Sequence, residues 1–333
     1  MMSLRWLVQE IKMTSKYFER LGFDGDSEPL IADISAGYDL GAVQESSVLT
    51  VGFEDCNVRV RTETGQFVIK AFGKFRSDSD VERYVNVMQA VTDGGVHHPT
   101  LHETRDGNVL FRHSSGVSAV AMDFIEGHTY FDTKTVPTDE ELELIAAEAV
   151  KIHALDIDPP YVFDSWAIPH IHKMHEAALP FLDEAGKQLA DAALGRYDAI
   201  DLDQLEKRFI HGDIISTNTL LDSDGKVWIL DFAVSNVYPK IQELAVIASS
   251  LLAGNEFVPF SQRVERAKKA YLAAGGKLSD YEQQALMDYA IAAAAMEFMG
   301  GHKAKFIDKE DAEECDYWIS VGKQALQEAL GVN

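Results

Sequence analysis

Near residue 125 the spacing of apolar residues changes from a period of two to a helical period. That change, interrupted once around residue 220, limits the chain to a β-rich segment followed by a mainly helical one. Upstream, Val48 to Phe53, Asn57 to Thr62 and Gln66 to Phe72 are short runs rich in Val and Ile, separated by the turn-prone Glu54-Asp55 and Glu63-Thr64-Gly65. They read as an antiparallel meander. A helical stretch over Leu4 to Leu21 and a polar, Gly-containing region to about Gln44 precede them. A helix is expected over Asp80 to Val91, opened by the capping-box pattern Ser79-x-x-Glu82 and ended by Gly94-Gly95. Strands over Val109 to His113 and Ser118 to Ile125 follow, the first entered through Asp106-Gly107.

Downstream, Asp139 to Leu155 puts Leu142, Ile145, Ala149 and Ile152 on one helical face. Further helices are expected at 170–196, 240–253, 260–273, 280–300 and 309–330. The interruption, Arg208 to Val234, reads strand, loop, strand, turn, strand, with Asp224-Gly225 as the turn. The expected class is α+β: a five-stranded antiparallel sheet plus helices over 1–125, and a helical lobe over 126–333 that carries an embedded hairpin.

The most informative residues lie in that interruption. Phe209-Ile210-His211-Gly212-Asp213-Ile214-Ile215-Ser216-Thr217-Asn218 is followed by Val227-Trp228-Ile229-Leu230-Asp231-Phe232. Asp213 sits in a loop after an apolar strand, Asn218 at the far end of that loop, and Asp231 after the next buried run, so three oxygen-bearing side chains can converge. Phosphoryl transfer needs such a set: a carboxylate to orient a hydroxyl and take its proton, and hard oxygen ligands for Mg²⁺. The bland alternative is a turn capped by Asx hydrogen bonds for Asp213 and Asn218, and a strand-end cap for Asp231. His211 is read as a structural histidine bonded to backbone, since proton transfer already falls to Asp213.

This segment resembles the aminoglycoside phosphotransferase and choline kinase superfamily, whose signature is His-Gly-Asp, four residues, Asn, then an apolar run ending in Asp. The resemblance implies a two-lobed, protein-kinase-like fold with Asp213 as catalytic residue and Asn218 and Asp231 as metal ligands. Phe67-Val68-Ile69-Lys70 is like the Val-x-x-Lys strand whose lysine reaches the nucleotide phosphates. Its implied acidic partner is Glu82 in the following helix, with a purely capping role as the alternative. The helix leads, as in the family, to Gly95-Val96-His97-His98-Pro99. Met122-Asp123-Phe124-Ile125-Glu126-Gly127 resembles the family hinge, which implies adenine binding by backbone groups of Asp123 and Ile125.

The phosphate-covering turn, Gly52-Phe53-Glu54-Asp55-Cys56-Asn57, departs from the glycine-rich kinase pattern. It is similar to the hydroxylysine-kinase-like branch, and the nearest likeness is to homoserine-kinase-like and hydroxylysine-kinase-like small-molecule kinases. Asn57 has two readings, an amide for a phosphate or a turn residue. Glu243-Leu244-Ala245 stands where the family has Asp-Leu-Ala, so Glu243 is read as a metal-side carboxylate or as a cap.

A formal charge of −24 disfavours a nucleic-acid partner and favours cationic small molecules, unless it serves solubility alone. Cys56 and Cys315 lack metal-type spacing and suit a reducing compartment. No apolar run suits a membrane span and no signal-peptide core is seen, so the expected location is cytoplasmic. His170-x-His172-x-x-His175 with Glu176 invites a metal reading, but His170 and His172 would face different ways on a helix.

The expected activity is Mg²⁺- and ATP-dependent transfer (or transfer from another nucleoside triphosphate) of the γ-phosphoryl group to a small hydroxyl acceptor. An amino alcohol or hydroxylated amino acid comes first, with an aminoglycoside antibiotic as alternative. A catalytically inactive nucleotide-binding module is the alternative of another class. The acceptor is expected to be cationic and to meet acidic residues such as Asp164, Glu176, Glu243 or Glu297. A homodimer is compatible with this reading.

Overall fold

A computed structural model describes residues 17–49, 54–254, 258–310 and 312–331, which divide into two compact units. The described residues up to Asp93, with His98–Glu126, form the first; Gly94–His97 and the residues from Gly127 onward form the second.

In the first unit α1 (Ser27–Gly37) precedes β1 (Val43–Leu49), β2 (Cys56–Thr62) and β3 (Gln66–Ala71), then come α2 (Asp78–Asp93), β4 (Phe111–Arg112) and β5 (Ser118–Asp123). Among the described residues the five strands form one antiparallel sheet in the order β1-β2-β3-β5-β4. Alternate residues Val58, Val60, Phe67, Ile69, Ala119 and Ala121 join Leu30, Ile31 and Ile34 of α1 in one core. The pleat sends the intervening residues to the opposite face. The register sets Asn57 directly across from Lys70, and Lys70 directly across from Val120. Two polar residues thus share the face that α1 leaves uncovered.

Three features differ from the sequence reading. Helix α1 lies in the stretch read as a polar loop: it carries few apolar residues and is started by Asp26, whose carboxylate accepts the Glu28 N–H at 3.2 Å. Strand β1 begins at Val43, five residues early, because Gln44 to Ser47 are exposed and polar and carry no alternation. Helix α2 begins at Asp78, and its capping pair is Ser77 with Asp80: Ser77 Oγ accepts the Asp80 N–H at 3.2 Å and Asp80 Oδ2 accepts the Ser77 N–H at 3.1 Å. The helix expected over 4–21 falls mostly outside the described residues, as do Thr50–Phe53.

The second unit contains β6 (Gly127–Thr129), α3 (Asp139–Ala154), α4 (Ile171–Ala178), α5 (Glu184–Asp198), β7 (Lys207–Ile210), β8 (Thr219–Asp222), β9 (Val227–Ile229) and β10 (Asn236–Pro239). Then come α6 (Ile241–Val246), continued by a π-helical turn Ile247–Leu251, α7 (Phe260–Ala273), α8 (Asp280–Lys303) and α9 (Ala312–Leu330). β6, β8 and β9 form a small sheet, and β7 pairs with β10. The single helix expected over 170–196 is two, because Pro180 lacks an amide hydrogen and Asp183 restarts the chain by capping Gly186 at 2.7 Å.

Helix α8 is the axis of this unit. Ala292, Ala294, Ala295 and Met299 are fully buried, so the helix is apolar nearly all round, as a central helix must be. Among the described residues no helix is long and apolar enough to cross a membrane.

Candidate active site

The loop between β7 and β8 is built to hold one carboxylate. Gly212 takes a φ of 84°, which an L side chain would adopt only under strain. This turn points the His211 and Gly212 amides at Glu243 on α6, whose two oxygens accept them at 2.7 and 3.1 Å. Glu243 is fully buried and both its oxygens hold the loop, so of its two readings the anchoring one is what the geometry displays. His211 is equally committed. Its Nδ1 accepts the Asp213 N–H at 3.1 Å, which leaves Nε2 as the donor to the Leu230 carbonyl at 2.9 Å. Burial holds this imidazole below its ordinary pKa, so it is a neutral strut between the loop and the end of β9.

Asp213 is thereby fixed from both sides. The Asn218 amide donates to Asp213 Oδ2 at 2.7 Å and to the Asp213 carbonyl at 3.1 Å, closing the loop on itself. Leu230 N–H bonds to the Asn218 carbonyl at 2.8 Å, which ties the loop to the residue before Asp231. Burial, followed by the charges of Asp164 and Asp231, pushes the Asp213 carboxyl up to about 8, against the pull of the Asn218 amide. A carboxylate so raised is suited to accept a proton near neutral pH. Asp231 sits at φ 65°, an uncommon conformation for a residue with a side chain, and accepts the Ala233 N–H at 3.3 Å.

With its amide nitrogen engaged, Asn218 keeps its oxygen for a cation, and Asp231 adds a carboxylate. Two hard oxygen donors of this kind suit Mg²⁺, which completes its shell with water and phosphate. The histidines of α4 and its approach do not converge: His170 bonds to Tyr161, His172 pairs with Asp198 and His175 with Asp191. Among the described residues no group of three or more His, Cys, Asp or Glu could hold a metal.

In the sheet unit the lysine has a partner that differs from the expected one. Lys70 Nζ lies 3.1 Å from Asp55 Oδ2, both side chains being almost fully buried. The same carboxylate accepts Arg76 Nε at 2.9 Å and the Gly73 N–H at 3.0 Å, and Tyr84 of α2 lies under both cations. Glu82, expected as the partner, is exposed and pairs with Arg112 at 2.8 Å. The reason is geometric. Asp55 is two residues before Asn57, which faces Lys70 across the strands, so it is a diagonal neighbour on the same face. Glu82 lies on the outer side of α2, whose inner side is taken by Val81, Tyr84, Val85 and Met88. Sequence reading assigned Asp55 to the turn alone; the one available signal was its register with Lys70.

At the end of β5 the Asp123 N–H is bonded to the Thr100 carbonyl at 3.0 Å, and its side chain to His102 at 2.8 Å, so only the Asp123 carbonyl remains for a ligand. Ile125 follows beyond the strand, and its N–H has no hydrogen-bond partner among the described residues.

A sheet unit ahead of a helical one, with a loop that presents Asp213 beside Asn218 and Asp231, is the arrangement of kinase-type phosphotransferases. Residues 46–287 match the phosphotransferase enzyme family, and the chain belongs to it. Homoserine kinases from Methylobacillus glycogenes and Methylorubrum populi are 23% and 25% identical to it, each over 59% of this chain and 60% of their own length. The chain therefore matches about three fifths of the length of these relatives.

Among solved structures, a spectinomycin phosphotransferase bound to ADP and spectinomycin superposes with a TM-score of 0.66 at 14% identity, covering 93% of this chain and 99% of that one. A microcompartment-associated aminopropanol kinase gives 0.68 at 14%, covering 91% and 97%. A choline/ethanolamine kinase family protein from Mesorhizobium loti gives 0.63 at 17%, covering 96% of each chain. At such identities the likeness is one of fold. The matched segment gives the family, and the solved structures add the fold.

Proposed function

We propose that the chain transfers the γ-phosphoryl group of ATP to the hydroxyl of a small amino alcohol or hydroxylated amino acid. The observation that carries this reading is the clamp of Asp213 by Asn218, which leaves Oδ1 of a raised-pKa carboxylate for an acceptor hydroxyl. In the proposed step the acceptor oxygen bonds to the γ-phosphorus, the bond to the β,γ-bridging oxygen breaks, ADP leaves, and the hydroxyl proton passes to Asp213. Asn218 Oδ1 and the Asp231 carboxylate would hold Mg²⁺, which when bound neutralises phosphate charge.

Lys70 supplies a cation for the nucleotide phosphates, with Asp55 as the acid that positions it and Asn57 as its cross-strand neighbour. The Asp123 carbonyl and the Ile125 N–H suit the donor and acceptor edge of adenine. Glu82 has no part in this reading. The names of the relatives, homoserine kinases, and of one fold neighbour, an aminopropanol kinase, support an acceptor that carries both a hydroxyl and an amine.

The test is acceptor-dependent ADP release, measured with Mg·ATP against ethanolamine, choline, L-homoserine, hydroxylysine, an aminoglycoside and glycerol. Release with one or more of the amine-bearing alcohols is expected. Nucleotide binding without release for any acceptor would favour an inactive nucleotide-binding module.

A further inference from the structure

Arg76 is a second cation beside Lys70, and its role follows from the reading of Lys70 as the cation for nucleotide phosphates. The connection from β3 to α2 runs against the turn that carries Glu54 and Asp55. It can do so because residue 73 is glycine: a Cβ there would stand 2.6 Å from the Glu54 carbonyl oxygen. The close approach lets the Gly73 N–H donate to Asp55 Oδ1 at 3.0 Å, and it brings Arg76, three residues on, to the same carboxylate. Arg76 grips that carboxylate with two arms of its fork, Nε to Oδ1 at 2.9 Å and Nη2 to Oδ2 at 3.2 Å. Lys70 Nζ meets Oδ2 at 3.1 Å. Both cations pack on Tyr84 of α2, Lys70 Nζ 5.1 Å and Arg76 Cζ 5.4 Å from the ring centroid.

Like Lys70 and Asp55, Arg76 is almost fully buried, so little water screens these charges. A buried carboxylate paired with Lys70 alone would cancel the charge that nucleotide phosphates need. Two cations on one carboxylate leave an excess of positive charge. Glu54, a further partner of Arg76 at 2.5 Å, is half exposed, where water weakens its pull. Burial works against the charged form of Arg76, but the Asp55 carboxylate, by charge and hydrogen bond, and then Glu54 hold its pKa above the ordinary value.

We propose that Arg76 is a positioning residue for phosphate binding: its two-armed hold on Asp55 fixes the carboxylate beside Lys70 and offsets its charge, so that Lys70 is oriented without being neutralised. Arg76, with its donors turned to Asp55 and Glu54, acts through Lys70 and not on the nucleotide. Removing the fork leaves Asp55 to Lys70, and the tightened pair then competes with the phosphates.

The experiment titrates adenosine, ADP and AMP-PNP, with Mg²⁺ present, into wild type, Arg76→Met, Arg76→Lys and the double variant Arg76→Met with Asp55→Asn, by calorimetry. In Arg76→Met the affinity for AMP-PNP should fall at least about ten-fold and that for ADP by less, while adenosine binds within about two-fold of wild type. Arg76→Lys keeps the charge and loses the fork, so it should lie between. The double variant should bind AMP-PNP more tightly than Arg76→Met, because Asp55 no longer competes for Lys70. A role in stability alone gives the opposite: equal losses for adenosine and AMP-PNP, and a further loss in the double variant. Either result overturns the proposal. Should Arg76→Met fail to fold, Arg76→Lys carries the test: a loss confined to the phosphate-bearing ligands upholds the proposal, and an unchanged or uniform affinity overturns it. Wild type that binds adenosine and AMP-PNP equally would overturn the phosphate reading of Lys70 as well, whereas unchanged AMP-PNP binding in Arg76→Met beside a phosphate-dependent wild type overturns this proposal alone.

Discussion

Asn218 Nδ2 lies 2.7 Å from Asp213 Oδ2, so one amide locks the proposed base while its own oxygen stays available to a cation. The two roles are joined in one side chain, and variants at the two positions should separate them. Asp213→Asn preserves shape and removes the proton acceptor. Nucleotide affinity should stay within about two-fold, while kcat should fall by roughly 10²–10⁴, the usual contribution of a general base. Steady-state kinetics and calorimetry with a nucleotide analogue measure both, and a kcat within three-fold of wild type contradicts the assignment.

Asp231 combines a left-handed backbone, φ 65°, with a charge that the proposed metal site needs. Asp231→Gly relaxes the backbone and removes the carboxylate, so stability and function should part. The melting temperature should hold or rise, since a strained αL residue costs about 1–3 kcal/mol. Mg²⁺-dependent nucleotide affinity should drop by more than in Asn218→Ala, which removes a neutral ligand. Equal affinity for Mg·ATP in wild type and Asp231→Gly at limiting Mg²⁺ speaks against Asp231 as a ligand.

Asp55 and Glu82 make opposite predictions for two conservative changes. Asp55 is buried between Lys70 and Arg76, whereas Glu82 is exposed opposite Arg112. Breaking a buried pair from one side costs about 3–5 kcal/mol, and an exposed pair about 0–1 kcal/mol. Asp55→Asn should therefore lower both stability and kcat/KM for ATP, and should be strongly non-additive with Lys70→Met. Glu82→Gln should be near neutral in chemical denaturation and in turnover. The reverse ranking would return the lysine partner to α2.

The parts of the site that were legible in the sequence are local ones. Asp213, Asn218 and Asp231 lie within nineteen residues, and a turn, a hairpin and a buried strand fix their order without help from distant chain. Asp55 was missed because its role depends on strand register, which the exposed residues of β1 and the polar turn do not encode as a pattern. Glu297 could be named among acidic candidates but not chosen from them. Its burial depends on how α8 packs against the π-helical turn that carries Ser249. Glu176, from the same set, is exposed, and Glu243 is used up in holding the loop.

Glu297 should also leave a signature in stability against pH. Burial pushes its carboxyl from 4.5 up to about 8, with the Asp213 charge acting in the same direction and Ser249 and Arg263 against it; the Tyr317 phenol, raised chiefly by its own burial, also feels the Glu297 charge. Between these two values the folded chain retains a proton that the unfolded chain has released, so the stability this group contributes is full below about 4.5 and is lost as pH rises towards 8. Glu297→Gln has no such proton to lose, so it removes the titration of Glu297 together with its coupling to the Asp213 charge. The unfolding free energy of the variant minus that of wild type should thus widen steadily from pH 5 to pH 8 and level off above, by an amount on the order of a few kcal/mol. Thermal denaturation across that range checks this, and parallel curves for the two proteins would remove the case for a strained carboxylate at this position.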